Sequence, residues 1–477
     1  MQLAHRRRGL ANVAQRNGGT RSAFDPRRPG GWMAFGLIFS LMLVVFTSCG
    51  SPDNTASQGG KVNLTYALWD QNQQPAYQKS IDEFEKQHPN IKVTIQQTPW
   101  AQYWQKLNTE FAGNSAPDVF WDHVAYFPQF AQQGVLMDLS PLIEKDKLDL
   151  SVYYPQLIKQ FQYQDKYYGM PKDWDTITLI YNKNIFKQMN VQEPDDKLNW
   201  NPTDGGSFLK LLQKLTVDKS GKHADEPDFD AKNIKQYGFV SLNSNQSAYL
   251  NYIAMNGGKF LDKPFGQKFV FNQPESVQAL QFLVDLIAKW HVSPPASQTN
   301  DVSNVDIQML ARGQAAMIET GSWNVSYIAQ QTNFPIGIAQ LPSGPKGRVS
   351  VFNGLSDAIS AKTAHAQEAW ELVKWLASPH SQELIGGQGI VWPAVKNADQ
   401  NFADFWKKKD IDVTPFFTEA QGATVSFPIT PGFNEAQTKI NDIFNQMYLG
   451  QIPVQKATDT AVQQGNAAIS GATSEGS

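Results

Sequence analysis

Two aspartates in the segment KDWDT have a spacing that could do chemistry. In an extended chain, Asp173 and Asp175 lie on one side and Trp174 on the other, with about 6.6 Å between the two acidic positions. A carboxylate pair at that separation could cleave a glycosidic bond, provided that one acid had a raised pKa and a water molecule were held in place. The simpler interpretation is that both carboxylates accept hydrogen bonds from a bound ligand, and we favour it.

Tryptophan stands next to polar side chains at a second place in the chain. Trp69 and Asp70 follow the apolar run VNLTYAL, and Gln73 and Gln74 come soon after. Sugars offer hydroxyl groups to such polar side chains and flat apolar ring faces to aromatic ones. Because ligands of open α/β sheets bind beyond the carboxyl ends of the strands, we expect these four residues to line a carbohydrate site.

A third group follows the segment PDVF. Trp121, Asp122 and His123 stand there and could line the same site. The alternative for Trp121 is packing beneath a loop, and a hydrogen-bonded structural histidine is commoner than one that binds a ligand.

The hydrophobic pattern predicts alternating strands and helices around these groups. VNLTYAL and NIKVTI alternate apolar residues with period two, and a helical stripe lies between them, which is typical of a parallel βαβ unit. The next helical stripe contains Trp100 and Trp104, which we interpret as core packing. Further helical stripes contain Val277, Leu280, Val284 and Ile287, then Ala369, Leu372, Val373 and Leu376, then Ile440, Ile443, Phe444 and Met447. The sequence therefore predicts the α/β class.

Length and composition bound the architecture and the partners. A chain of 477 residues exceeds the size at which one hydrophobic core keeps growing, so two lobes are expected. The 41 basic and 44 acidic residues balance, which argues against a nucleic-acid partner. A single cysteine excludes an intramolecular disulfide and a cysteine-based metal site. Because the histidines lack metal-ligand spacing and no phosphate-binding glycine loop occurs, we expect no metal and no cofactor.

The first 48 residues have the pattern of an export signal. Most of the arginines of the chain stand there. An apolar run from Trp32 to Thr47 follows, and it is shorter than the roughly 20 residues that a membrane-spanning helix needs. A basic flank, a short apolar core and small residues at its end predict a signal peptide.

The only cysteine, Cys49, comes directly after that signal and before the polar stretch SPDNTASQGG. The residues around it resemble a bacterial lipobox, although Phe46 stands where that pattern has leucine. We predict a lipoprotein signal peptide at 1–48, lipid attachment at Cys49 and a polar tether at 49–60. The alternative is a free thiol in an anchor that is not cleaved.

Eight blocks taken together resemble those of family 1 extracellular solute-binding proteins, the group that includes maltose-binding protein. In chain order they are FEKQHPNIKV, WAQYWQKLNTEFAGNSAPDVFW, QQGVLMDLSPLI, YYGMP, LIYNKNIF, MNGGKFL, RGQAAMIETGSW and FNGLSDAISAKTAHAQEAWELVKWLASP. The resemblance covers nearly the whole chain after the tether. It implies a periplasmic-binding-protein-like fold, in which two α/β lobes are joined by a hinge that the chain crosses three times and a cleft lies between the lobes.

Aligning these blocks places the crossings near Asp175, Gly354 and Asp410. The implied domains are lobe one at 61–175 plus 355–409, lobe two at 176–354 plus 410–465, and a disordered tail at 466–477.

The resemblance also implies ligand-binding residues beyond the three groups above. They match a glycine pair, a GxW element, the second crossing and two aromatic positions of the family, and are Gly257, Gly258, Glu319, Ser322, Trp323, Asn353, Gly354, Trp392 and Phe433. Trp323 is the strongest candidate, because the tryptophan of that element often stacks on a sugar. The glycine pair could instead be a helix C-cap, and Asn353, Trp392 and Phe433 could serve core or interlobe packing.

The function implied by the resemblance is capture of a mono- or oligosaccharide by hinge closure and its delivery to the permease of an ABC importer. The protein would be a monomer without enzymatic activity, exported and lipid-anchored to the outer face of the cytoplasmic membrane. A secreted glycoside-cleaving enzyme and a sensory sugar-binding protein are the alternatives.

Overall fold

The computed structural model describes residues 60–263, 266 and 268–474. The predicted signal peptide, Cys49 and nearly all of the tether lie outside these residues. Within them, no helix is both long and apolar enough to cross a membrane.

Strands and helices alternate along most of the described chain. The first part forms β1 (Val62–Leu68), α1 (Gln74–Gln87), β2 (Ile91–Gln97), α2 (Trp100–Ala112), β3 (Val119–His123), α3 (Phe127–Gln132), α4 (Ser140–Asp146), α5 (Pro155–Gln160), β4 (Gln162–Tyr163), β5 (Lys166–Tyr167), β6 (Gly169–Asp175) and β7 (Ile177–Asn182). The middle forms α6 (Lys183–Gln188), α7 (Gly206–Leu215), β8 (Val217–Asp218), β9 (Ile234–Phe239), α8 (Leu250–Met255), α9 (Pro274–Ala288), α10 (Ala296–Thr299), α11 (Val305–Ala311), β10 (Ala315–Gly321), α12 (Val325–Gln331), β11 (Ile336–Ala339) and β12 (Val349–Ile359). The last part forms α13 (Ala366–Leu376), α14 (Pro379–Gly386), β13 (Trp392–Pro393), α15 (Asp399–Lys407), α16 (Thr414–Gln421), β14 (Ala423–Ser426), α17 (Phe433–Tyr448) and α18 (Val454–Ser474).

The predicted βαβ unit at the start of the described chain is confirmed. β1 and β2 pair in parallel along their whole lengths. Pro75 stands in the first turn of α1, where backbone N–H groups have no partner within the helix. Proline lacks this N–H, so no hydrogen bond is lost there. Tyr77, Ile81 and Phe84 form the buried face of α1, as their spacing predicts.

The first sheet has the strand order β13-β6-β12-β3-β1-β2, with β14 beside β12. β3, β1 and β2 run parallel, so their carboxyl ends meet at one edge of this sheet. β2 is the outermost of the three.

The second sheet has the strand order β11-β7-β10-β9-β8. β10 runs antiparallel to β7 and parallel to β9. Gly321, the last residue of β10, stands opposite Ile177, the first residue of β7.

Two strand connections pass between the two sheets, and a helical connection forms a third passage. β6 ends at Asp175 in the first sheet, and β7 begins two residues later in the second. β12 follows β11 of the second sheet and pairs with β6 and β3 of the first from Asn353 onward. The third passage joins α15, which contacts β13, to α16, which contacts β7. The predicted α/β fold with two lobes is confirmed, whereas the limits of the lobes stay a prediction.

The predicted disordered tail is wrong as far as residue 474, because α18 continues to Ser474. Ala468 and Ile469 are buried in the same hydrophobic cluster as the inner face of α17. The backbone N–H of Phe269 donates to the Asn466 side chain at 2.7 Å. Burial against α17 therefore stabilises a helix in a segment whose small and polar residues alone favour disorder.

Candidate ligand-binding site

Three aromatic residues meet at the carboxyl edge of the first sheet. Trp69 follows β1, Trp100 follows β2, and His123 is the last residue of β3. The ring of Trp100 lies 5.1 Å from that of Trp69 and 5.4 Å from that of His123, measured between centroids. We call these three residues the aromatic edge cluster.

The prediction that Trp100 is a core residue is wrong. Its side chain is 43% exposed, whereas Trp104, one turn later in α2, is 5% exposed. Trp104 stacks on Tyr126 with 3.6 Å between ring centroids. Trp100 is the first residue of α2 and stays at the sheet edge, because side chains of a helix point back toward its N-terminus.

Trp121 does not reach the surface of this edge. The side chain is fully buried, and its indole N–H donates to the Tyr66 hydroxyl at 2.6 Å. Its ring lies 5.0 Å from that of Trp69, and the Lys172 ammonium group lies 3.9 Å from its ring centre. Trp121 thus supports half-buried Trp69 from inside the lobe, which is the alternative weighed for it above.

The polar residues after β1 are held by local hydrogen bonds. One carboxylate oxygen of Asp70 accepts from the Gln73 side chain and the other from the backbone N–H of Asn72, both at 2.8 Å. Gln73 is buried, and its Oε1 has no hydrogen-bond partner among the described residues. Asp70 and Gln74 are half-buried beside it.

His123 joins the aromatic edge cluster to the chain crossings. The backbone N–H of Ala125 donates to its Nδ1 at 3.1 Å, so the neutral ring carries its proton on Nε2, which lies 2.9 Å from the side-chain amide of Asn353 and donates to it. Burial lowers the pKa of His123 to about 3, so the ring is neutral at physiological pH. Asp122 is buried beside it, and in the described part of the chain one of its carboxylate oxygens has no hydrogen-bond partner.

Asp175 and Asn353 stand opposite each other where β6 and β12 pair at the crossing. The Gln246 side chain, from the turn before α8, donates to Asp175 at 2.6 Å. Burial raises the pKa of Asp175 well above its usual range. Gln246, which precedes α8, therefore meets residues of the first sheet around one buried carboxyl group.

Asp173 and Asp175 are both buried, so their carboxyl groups do not form an accessible pair. The Asp173 carboxylate forms a buried ion pair with its neighbour Lys172. Trp174, between the two aspartates, is buried and stacks on Trp392 with 5.0 Å between centroids. Asp173 is 2% exposed and Asp175 is 7% exposed, so both acids lie in the interior.

In the second sheet, the GxW element follows β10. Trp323 is half-buried, and its ring occupies the space where a Cβ of Gly321 would lie, 1.6 Å from that position. Ser322 is buried. Glu319 is also buried and accepts a hydrogen bond from the Tyr252 hydroxyl. Burial raises the pKa of Glu319 to about 8.

The glycine pair has the geometry of a helix C-cap. Gly257 has φ +86°, and its N–H donates to Ala254 at 2.9 Å. The N–H of Gly258 donates to Ile253 at 2.8 Å, which completes a Schellman motif at the end of α8. Chain reversal accounts for these glycines without a ligand.

Three further residues implied by the resemblance are engaged in packing. A Cβ on Gly354 would lie 2.3 Å from the Leu157 side chain, so this glycine lets α5 approach β12 closely. Phe433 is buried, with its ring centroid 5.4 Å from that of Phe427. Trp392 is buried and borders a cavity of about 620 Å³ that lies between α15 and α16, away from the aromatic edge cluster.

The residues that sequence reasoning missed are Trp100 and Gln246. Trp100 stands directly after Pro99 at the start of a helix, which is a signal that its side chain lies at a strand end and not in mid-helix. No sequence signal singled out Gln246, because its contact with Asp175 joins residues 71 positions apart. Within the described residues, no group of three or more potential ligands is placed to hold a metal ion.

The chain forms two α/β lobes, and polar groups and half-buried indoles lie beside the crossings that join them. This arrangement is typical of hinged binding proteins. The chain belongs to the family of bacterial extracellular solute-binding proteins, whose sequence model matches residues 69–383. This places the protein among exported binding proteins and confirms the resemblance seen in the sequence.

Individual relatives agree along nearly their whole lengths. The structure of UspC from M. tuberculosis is 33% identical, with a TM-score of 0.70, and the match covers 85% of this chain and 100% of that one. An ABC substrate-binding protein from Listeria monocytogenes in complex with cycloalternan is 25% identical, with a TM-score of 0.75 and coverages of 86% and 99%. The galactooligosaccharide-binding protein of Bacillus subtilis is 24% identical over 439 residues, which cover 89% of this chain and 95% of the relative.

Proposed function

We propose that the protein binds a carbohydrate beside its chain crossings and delivers it to the permease of an ABC importer. The observation that carries this proposal is the placement of two half-buried indoles. Trp69 follows β1 of the first sheet and Trp323 follows β10 of the second, and both strands end near the crossings. Aromatic faces from both lobes suit the apolar faces of a sugar ring.

Polar groups beside Trp69 suit the hydroxyl groups of the same ligand. Asp70 is half-buried after β1, and the amide oxygen of buried Gln73, whose nitrogen donates to Asp70, has no hydrogen-bond partner in the described structure. A buried polar atom without a partner is costly, and a hydroxyl donor from a ligand would relieve that cost. The relatives named for galactooligosaccharide binding and solved with cycloalternan favour an oligosaccharide.

Hinge closure follows from the way that the two sheets are joined. Asp175 and Gln246 already link the lobes by one hydrogen bond of 2.6 Å. A ligand held by residues of both sheets would bind the closed arrangement more tightly than the open one and so shift the population toward closure. The closed, loaded form is the one that the permease would recognise.

The proposal extends to the cellular setting predicted from the N-terminal sequence. Cleavage before Cys49 and lipid attachment to it would anchor a monomer to the outer face of the cytoplasmic membrane. Incorporation of labelled fatty acid in a bacterial host should depend on Cys49, so the Cys49→Ala variant should remain unlabelled. Labelling of that variant would contradict the predicted anchor.

The protein is proposed to bind without turnover. Asp173 and Asp175 are both buried, the first paired with Lys172 and the second hydrogen-bonded by Gln246, so neither carboxyl group is open to a glycosidic bond and a water molecule. Incubation with oligosaccharides should leave their chain lengths unchanged. Release of shorter sugars by the purified protein would support the enzymatic alternative.

Titration calorimetry with a panel of mono- and oligosaccharides tests the proposal directly. A ligand at one hundred times its Kd should also stabilise the folded chain by about 2.7 kcal/mol in a denaturation experiment. Binding should change the intrinsic tryptophan fluorescence, because Trp69 and Trp323 line the proposed site. If no sugar of the panel produces heat, stabilisation or a fluorescence change, carbohydrate binding is wrong.

A further inference from the structure

Trp100 has a place in the aromatic edge cluster that packing alone does not explain. The exposed large hydrophobic residues of the described chain are Trp100, Val302 and Leu449. Scattered exposed apolar residues are normal at protein surfaces. Trp100 differs from the other two because it touches Trp69 and His123 at the edge where ligands of α/β sheets bind.

Four neighbouring rings fix the orientation of the Trp100 indole. The interplanar angles are 82° with Trp69, 83° with Trp104, 79° with His123 and 81° with Tyr126. Near-perpendicular contacts of this kind are favourable for aromatic pairs. The exposed part of the indole is therefore held in place before any ligand arrives, so stacking would cost little side-chain entropy.

The position of Trp100 relative to the crossing indicates which part of a ligand it would meet. Trp100 follows β2, the outermost strand of the first sheet, whereas Asn353 lies on β12 at the crossing. The ring of His123 stands between them, 5.4 Å from the Trp100 ring and 2.9 Å from the Asn353 amide nitrogen. A ligand that reaches both Asn353 and Trp100 must extend past His123.

We propose that Trp100 stacks on a second or later sugar unit and thereby sets a preference for oligosaccharides over monosaccharides. The inference rests on the proposed carbohydrate binding. The unit at the crossing would be held by the polar groups of both lobes, and the indole would hold the unit that lies farther out. Trp100 is a specificity-determining residue in this arrangement, because it contributes only when the ligand is long enough.

Calorimetric affinities for one sugar series of increasing length test this inference. The variants are Trp100→Ala, which removes the platform, and Trp100→Phe, which keeps an aromatic face. Leu449→Ala is the matched control, since it removes an exposed apolar side chain at the end of α17. Circular dichroism of each variant checks that the fold is intact.

Trp100→Ala should weaken binding of di- and trisaccharides about tenfold or more, which corresponds to about 1.4 kcal/mol. Its effect on the monosaccharide should stay below about twofold, Trp100→Phe should recover most of the loss, and Leu449→Ala should bind like the unaltered protein. Equal losses of affinity of Trp100→Ala at every sugar length would overturn the inference. Unchanged affinities of this variant would also overturn it, whether or not sugar import is impaired. Failure of the unaltered protein to bind any sugar would instead overturn the proposed function.

Discussion

The Gly321→Ala substitution isolates the role of the GxW element. Gly321 has φ −92°, an ordinary value for alanine, so its backbone tolerates a side chain. The obstacle is the Trp323 ring, whose Cζ3 atom lies 1.6 Å from the position of the added Cβ. Real carbon atoms cannot approach so closely, and the indole must leave its place.

The cost can be bounded from this geometry. Adding a methyl group to a well-packed site destabilises a protein by about 1–3 kcal/mol. Because Trp323 is half-buried, its ring can swing toward solvent, and we expect the lower end of that range, about 1 kcal/mol. Ligand affinity should fall more, by about tenfold, since the displaced indole no longer meets the sugar.

A double-mutant cycle with Trp323→Ala measures this coupling. Urea unfolding gives the change in stability of Gly321→Ala in both backgrounds, and calorimetry with a bound sugar gives the change in affinity. Without the indole there is nothing for the new methyl group to displace, so both penalties of Gly321→Ala should disappear.

Gly113→Ala serves as the control, because its added Cβ would lie no closer than 3.4 Å to its neighbours and its φ is −85°. It should leave affinity unchanged. The reasoning is refuted if Gly321→Ala binds sugar like the unaltered protein, or if its penalty persists in the Trp323→Ala background.

Three further predictions concern buried charges and the glycine pair. Lys172→Met should destabilise the protein by about 3–5 kcal/mol, because it leaves the buried Asp173 carboxylate without its positive partner. Adding Asp173→Asn should restore much of the lost stability, as measured by urea unfolding. Equal stabilities of the single and double variants would contradict this. The free energy of unfolding should fall from pH 6.5 to 8.5, because folded Glu319 keeps its proton up to a pKa of about 8 while the unfolded side chain has already lost it. Glu319→Gln should flatten this decline. Parallel curves of unfolding free energy against pH for the two proteins would speak against it. Gly257→Ala should cost about 1 kcal/mol through its φ of +86° yet leave sugar affinity unchanged by calorimetry, and a large affinity loss would show that the pair approaches the ligand after all.

Much of the fold could be predicted because its signals are local. The alternation in VNLTYAL and the stripe of Tyr77, Ile81 and Phe84 each identify an element and its inner face. The α/β class and the first crossing near Asp175 follow from such patterns and from the family blocks. The predicted disorder at 466–474 was wrong because packing against α17 stabilises α18, and the sequence of the tail alone does not show this packing.

The site was harder to predict because exposure is a property of the neighbours of a residue. Trp121 and Trp174 are each followed by an aspartate, as Trp69 is, yet both are buried. Trp174 is covered by the rings of Tyr154, Trp392 and Phe417, which come from other segments of the chain. Trp100 was assigned to the core because its helical spacing matches that of Trp104, although spacing does not show where a helix begins relative to a sheet edge.

The sequence by itself determined the order of strands and helices, their apolar faces and membership of a family of extracellular binding proteins. Only the tertiary structure decided which indoles remain accessible and which carboxyl groups are neutralised, as with Lys172 and Asp173. The physical reason is that periodicity records which side of an element is apolar, whereas accessibility and ionisation depend on every element that packs against that side.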